Sequence, residues 1–241
     1  MTRDISQAST HPDKVRPASA VSRWSMDSSD VSSGTLQDSW GSNDGSLNGG
    51  ITTGASGVGG SEAFSFDGSD DYVAVGDVLG GFTRLTVSSW VKVTGSSSNS
   101  SYNVVVGNSG AYVLSYQDDT DDFLFRLGLD GGKVDLRAGI GSVINTGWYH
   151  ITGTWDGSKQ RIYVNGSKVS EQSASGTMGD TSGKHMIMGS LDTNADGQGQ
   201  SKYMFKGKID EVRIYSEALS QQQVWKLYNV GRNANWGFSR S

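Results

Sequence analysis

Residues 85–93 alternate without a break: Leu85, Val87, Ser89, Val91 and Val93 fall on one side, and Thr86, Ser88, Trp90 and Lys92 on the other. Side chains of an extended strand point to opposite faces in turn, so this spacing predicts a half-buried strand. The pattern recurs. Phe123, Phe125, Leu127 and Leu129 alternate with Leu124, Arg126 and Gly128, and Tyr149, Ile151, Gly153 and Trp155 with His150, Thr152 and Thr154. Residues 161–164 run into Asn165-Gly166 and on to Lys168-Val169. Asn-Gly is the preferred two-residue hairpin turn because both positions tolerate positive φ. The chain holds 34 Gly and 38 Ser, and they stand between these runs, with no Gly-x-y period. The expectation is an all-β fold of about a dozen strands, an antiparallel two-sheet jelly-roll sandwich.

One short C-terminal helix interrupts the pattern. Ser220 and Gln223 have capping-box spacing, with Leu219 and Val224 placed as a hydrophobic staple. Val224, Leu227 and Tyr228 then give one apolar face, suited to closing an open end of the sandwich.

Composition excludes several classes. With no cysteine, a disulfide scaffold, a thiolate zinc site and a cysteine nucleophile are ruled out. A net charge of −5 with no basic stripe argues against nucleic acid, and no apolar run is long enough to insert in a membrane. The acids are 21 Asp against 4 Glu, which favours turns and hard cations. Both prolines, Pro12 and Pro17, lie in the first twenty residues. Residues 1–20 are polar and aperiodic and predict an extended arm, disordered or docked on a larger assembly. They lack the apolar core of a secretory signal, so the reading is a mature form, a protein made in the cytoplasm, or one exported by another route. The domain proper is expected over residues 21–230, with a tail at 231–241 that carries Trp236 and Phe238.

Three segments, taken in order, carry a family resemblance: EAFSFDGSDDYVAV (Glu62 to Val75), WYHITGTWDGSKQRIYVNG (Trp148 to Gly166) and GKIDEVRIYSEALSQQQVWKLY (Gly207 to Tyr228). Together they resemble a laminin-G-like, concanavalin-A-type jelly roll, of the class also related to the pentraxins. The resemblance spans about 200 residues. It implies a two-sheet sandwich and a role in recognising glycans or protein surfaces, often with calcium.

The best local motif is Asp192-Thr193-Asn194-Ala195-Asp196-Gly197, the opening of an EF-hand-type loop. Its twelfth position is Tyr203 where that loop wants Glu, so at most half such a loop is grafted between two strands. Calcium is expected on Asp192, Asn194 and Asp196; the competing reading is an Asx-rich turn that caps its own backbone. The pentraxin resemblance puts a calcium loop in the same place. A second acidic run, Asp118 to Asp122, reads as a solvated hairpin tip. A third run is Asp67-Gly68 followed by Asp70-Asp71, in which Asp67 or Asp71 could build a buried structural calcium site with Asp210. Asp210 is read in phase with Val212 and Ile214, on the core side, where a carboxylate must be paired, capped or metal-bound.

Glycan binding calls for an aromatic platform with planar polar groups, and Tyr102, Tyr112, Tyr116, Tyr203 and Trp236 are expected to be exposed, with Asn103, Asn108, Gln198 and Gln200 as partners. Asn108, Tyr112, Gln198 and Tyr203 are the chosen ligand-binding set. The loop at 107–110 is similar in position to a second calcium-ligand loop of pentraxins. Catalysis finds little support. Jelly-roll glycosidases resembling this fold pair acids two or four residues apart, and none of Glu62, Glu171, Glu211 and Glu217 has such a partner. His11 lies in the arm, and His150 and His185 in strands. The expectation is therefore a non-enzymatic, oligomeric surface protein that binds glycans or a cell-surface receptor, extracellular or on a virion. The alternative is a capsid-decoration, spike or fibre subunit that uses the sandwich for assembly and docks through residues 1–20.

Overall fold

A computed structural model describes residues 16–78, 81–97, 102–181, 183–194, 197–200 and 203–232. The described residues form two antiparallel sheets and one helix. The eight-stranded sheet runs, edge to edge, β15 (Ser167–Ser173), β14 (Lys159–Val164), β13 (Tyr149–Trp155), β8 (Leu85–Val93), β17 (Lys206–Tyr215), β6 (Glu62–Asp67) and β5 (Thr52–Ser56). Its eighth strand, β1 (Ala20–Trp24), pairs with the second half of β17, while β6 pairs with the first half. The nine-stranded sheet runs β12 (Gly132–Gly139), β11 (Asp122–Leu129), β10 (Tyr112–Gln117), β9 (Tyr102–Asn108), β16 (Met186–Met188), β7 (Tyr72–Gly76), β4 (Gly45–Asn48), β3 (Thr35–Leu36) and β2 (Val31–Ser32).

Period two decides what meets what. Leu85, Val87, Val91 and Val93 of β8, Ile151 and Trp155 of β13 and Ile209, Val212 and Ile214 of β17 face Val105, Leu114, Tyr116, Phe123, Phe125 and Leu127 of the other sheet in one continuous core. The Asn165-Gly166 turn has φ of +51° and +77°, as a hairpin of this type requires.

On the outer face of the eight-stranded sheet, Thr86, Ser88 and Trp90 lie beside His150, Thr152 and Arg213. Helix α1 (Gln221–Arg232) seals this polar layer. Its capping box forms as read: the Ser220 N–H donates to Gln223 Oε1 at 2.8 Å, and Gln223 N–H returns to Ser220 Oγ at 3.4 Å. Leu219 and Val224 pack in one cluster with Tyr163 and Tyr215, and Tyr228 stacks on Trp90 at 5.4 Å.

Asp210 departs from the sequence reading. Asp210 pairs with Trp90 and Arg213 with Ser88, so a bulge at Glu211-Val212 breaks the alternation. Glu211 takes φ +52°. The extra residue returns Val212 and Ile214 to the core and leaves Asp210 on the opposite face, in register with Trp90.

Candidate functional site

The outer face of the nine-stranded sheet follows from its inner face. On β10, Leu114 and Tyr116 turn inward, so Val113, Ser115 and Gln117 turn outward; on β11, Phe123 and Phe125 leave Leu124 and Arg126 outside. Pairing then sets Tyr102 beside Gln117, Ser115 between Val104 and Leu124, and Arg126 between Val113 and Asp135. Val104, Val113 and Leu191 make a small apolar floor, with Tyr102 and Tyr203 packed against it.

Above this floor, the Tyr102 and Tyr203 rings meet edge to face, centroids 6.2 Å apart at 81°. The Arg126 guanidinium lies 5.8 Å from the Tyr102 ring centre. Arg126 donates two parallel hydrogen bonds to Asp135, Nε to Oδ1 at 2.6 Å and Nη2 to Oδ2 at 2.7 Å. That fork raises the Arg126 pKa and lowers that of Asp135, so both stay charged. Arg137 donates to Gln117 and faces Asp122 at 3.6 Å. Two half-buried tyrosines thus stand beside a fixed set of planar donors and acceptors.

Leu191 and Tyr203 border this face, and Asp192 shapes the described part of the loop between them. Its carboxylate is fully buried. Oδ1 accepts the Asn194 N–H at 3.0 Å, and Oδ2 accepts the Gly197 N–H at 3.0 Å and lies 3.2 Å from His185 Nδ1. These bonds are those of an Asx turn. Asn194 is exposed and its amide donates to Gln200 at 3.3 Å; Gln198 is exposed too. Asp196 lies outside the described residues, as do residues 1–15, Trp236 and Phe238.

The other predicted residues fall elsewhere. Tyr112 is 1% exposed, in the core, where burial pushes its phenol far above the ordinary range, and Tyr116 is buried beside it. Neither can present a ring to a ligand: both share the inward face of β10 with Leu114, while Ser115 and Gln117 mark the other face as the polar one. Asn108 is buried, accepting the Gly110 N–H and donating to the Lys184 carbonyl, so it pins its own turn. Asn103 is buried as well, donating to Asp118 and accepting the Lys206 N–H.

Asp67, Asp70 and Asp71 bring carboxylate oxygens within 4.8 Å of one another. Asp71 is buried, which raises its pKa, and both its oxygens are occupied: Oδ1 accepts the Gly50 N–H at 2.5 Å and Oδ2 the Asp67 N–H at 2.8 Å. Asp210 does not join this group. Asp67 pairs with Lys206, and Asp210 stands four residues further along β17, about 13 Å away.

Sequence reasoning missed Arg126, Asp135, Arg137 and Gln117, whose shared face emerges only when four strands are in register. It also missed Trp225, 55% exposed on α1 among Gln221, Gln222 and Lys226. The helical pattern already set Trp225 off the apolar stripe of Val224, Leu227 and Tyr228. A cleft of about 500 Å³ near Phe82, Arg84, Trp155 and Asp156 belongs to the other sheet. There Asp156 caps its own hairpin and pairs with Arg161 at 2.7 Å.

An all-β sandwich with an aromatic and charged patch on one sheet face defines the class: a jelly roll of the lectin type. The family of laminin G-like domains in the concanavalin A-like lectin/glucanases superfamily matches residues 67–225, and the chain belongs to it. No curated protein matches. Among solved structures, the binding domain of Paraclostridial Mosquitocidal Protein 1 superposes with a TM-score of 0.68 at 18% identity, over 88% of this chain and 52% of that one. Domain 4 of AbnA, a GH43 extracellular arabinanase from Geobacillus stearothermophilus solved with arabinotriose, gives 0.67 at 22%, over 87% and 98%. The receptor binding domain of botulinum neurotoxin mosaic serotype C/D gives 0.63 at 16%, over 88% and 50%. The chain spans about half the length of the two toxin domains and nearly all of the arabinanase domain. At these identities the likeness establishes the fold. No helix among the described residues is long and apolar enough to cross a membrane.

Proposed function

We propose that the protein is a non-enzymatic recognition module that binds carbohydrate on the outer face of its nine-stranded sheet, at a cell or particle surface. One observation carries the reading: the Tyr102–Tyr203 pair stands beside the Arg126–Asp135 fork on a shared apolar floor. A sugar ring offers an apolar C–H face for an aromatic ring and an edge of hydroxyls for planar donors and acceptors. Those are the two chemistries present here. The arabinotriose in the arabinanase domain and the receptor-binding role named for the neurotoxin domain support a glycan or a glycosylated receptor as the ligand class. The patch needs no metal at Asp192, whose oxygens accept N–H groups of their own loop.

A glycan array probed with the full chain, in calcium and again in chelator, tests this. Binding is expected in both buffers, and Tyr203→Ala and Arg126→Ala should each weaken it strongly. Binding that chelator removes would return the metal to the ligand site and to the Asp192 loop. Binding lost in Trp225→Ala, with Tyr203→Ala unaffected, would move the site to α1. No binding in either buffer would favour an assembly subunit docked through residues 1–20.

A further inference from the structure

We propose that the glycan face selects uncharged sugar chains over carboxylate-bearing ones, and that Asp135 enforces the choice. This rests on the reading of that face as a glycan site and names the ligand class it takes. A guanidinium suits a sugar carboxylate because its planar fork matches the two oxygens. On this face that fork is already occupied. Asp135 accepts from Arg126 Nε at 2.6 Å and from Arg126 Nη2 at 2.7 Å, so a uronate or sialate would have to displace it. The sheet builds the pair in. Arg126 and Asp135 stand opposite one another on β11 and β12, and with Leu127 and Leu136 in the core both turn outward.

The charges nearby reinforce the effect. Arg137 is committed too: it donates to Gln117 and to Thr120 Oγ1 at 3.2 Å, and Asp122 stands 3.6 Å away. Lys133 is exposed on the same side of β12. The Arg126 fork, and after it the charges of Arg137 and Lys133, hold the Asp135 pKa below its ordinary value. Past Gln117, the β10–β11 turn adds Asp118, Asp119 and Asp121. Asp118 accepts the Asn103 amide and Asp121 the Tyr116 hydroxyl, partners without charge, and Asp119 is exposed. Asp135, Asp122 and these three carboxylates outnumber Arg126, Arg137 and Lys133. Lys206 borders this end, its stem against Gly68 and Gly95 and in register with Asp67, and Lys184 borders the other beside Gly110 and Asp180. Asp196 and Lys202, of opposite sign, lie outside the described residues.

What remains on the face fits hydroxyls. Arg126 keeps N–H donors that Asp135 does not use, and the Asp135 oxygens keep lone pairs. A donor and an acceptor side by side match two neighbouring hydroxyls, one accepting and one donating. Tyr102 and Tyr203 stand beside them for the C–H face of the same ring. The face therefore discriminates as much by what it repels as by what it holds.

The test is a glycan array of matched pairs that differ in charge: oligogalacturonates beside their methyl esters, and glucuronoxylan beside unsubstituted xylan. The full chain is scored over every pair in which either member binds. Wild type should bind the neutral member roughly tenfold or more tightly in low salt. The gap should narrow at about 0.5 M NaCl as charge is screened. Asp135→Asn frees Arg126 and should narrow or reverse the gap in low salt, and Asp119→Asn should narrow it less. The ratio is the readout, since a general loss of affinity or of fold moves both members together. Acidic members bound as tightly as neutral ones, and lost in Tyr203→Ala, would overturn the selectivity and keep the glycan face. A ratio that Asp135→Asn leaves unchanged would overturn the role of Asp135. No binding to any member, or binding that Tyr203→Ala leaves intact, would remove the glycan site and the selectivity with it.

Discussion

Gly153 of β13 and the Phe125 ring of β11 face each other across the sandwich so closely that a Cβ on Gly153 would lie 2.5 Å from the ring carbons. Phe125 therefore fills the space a side chain would occupy, and this contact fixes how near the sheets can come. Gly153→Ala should cost about 1–3 kcal/mol through overpacking. Denaturant unfolding would show it, and Gly153→Ala with Phe125→Leu should recover part of the loss. An unchanged midpoint in Gly153→Ala would mean that the sheets can part at this point without strain.

The glycan face should divide cleanly from the fold. Tyr203→Ala and Arg126→Ala are expected to weaken binding by about 2 kcal/mol each, some thirtyfold. Their melting temperatures should stay close to wild type, since both side chains are partly exposed. Asp192→Ala should act on binding indirectly, because Asn194, Gly197 and His185 lose the acceptor that shapes their loop. Full affinity in Asp192→Ala would show that this loop has no part in the ligand site.

His150 and Asp210 should pull stability in opposite directions with pH. Burial, and after it the charge of Arg213, lowers the His150 pKa from 6.5 to about 3. Between those values the unfolded chain takes up a proton that the folded one refuses, so stability is lost as pH falls. Asp210 moves from 3.8 to about 7, and over that window the folded chain keeps a proton that the unfolded one has released. Its contribution is lost as pH rises. Each is worth on the order of 4 kcal/mol, so in chelator the melting temperature should be nearly level from about pH 4 to 6.5 and fall on either side. Asp210→Asn should remove one half of the balance and leave a decline that starts near pH 6.5. A wild-type melting temperature that climbs steadily from pH 4 to 7 would refute the raised Asp210.

Helix α1 shields the stack of Trp90, Tyr228 and His150, so its cap should matter beyond the helix. Ser220→Ala is expected to cost about 1 kcal/mol. Trp90 emission should then shift toward longer wavelength ahead of global unfolding. Coincident transitions would mean that the helix and the sandwich melt as one unit.

Much of this fold was legible in local pattern. The strands around Leu85, Phe123 and Tyr149, the Asn165-Gly166 hairpin and the Ser220 capping box each follow from a rule acting within a few residues. The site was less so. Tyr112 lies on the apolar side of β10, opposite Ser115 and Gln117, but a tyrosine suits a core and a binding face alike, so residue type did not decide its place. Asp210 was misphased because a bulge is one residue deep and leaves no composition signal at Glu211. Arg126, Asp135 and Arg137 are unremarkable in sequence and meet only through strand pairing. Asp192 heads the turn that its sequence marks, with the Asn194 and Gly197 N–H groups and His185 Nδ1 against its carboxylate.

β1 finds its partner in β17, nearly 190 residues later: Ser22 pairs with Ile214 and Trp24 with Val212. A strand made that long before its partner must wait, unpaired, until residue 215 has left the ribosome. Distant pairings of this kind make folding slow and leave strand edges open meanwhile. Until β17 is made, the eight-stranded sheet lacks the strand that joins β1 to it, and the sandwich stays half built.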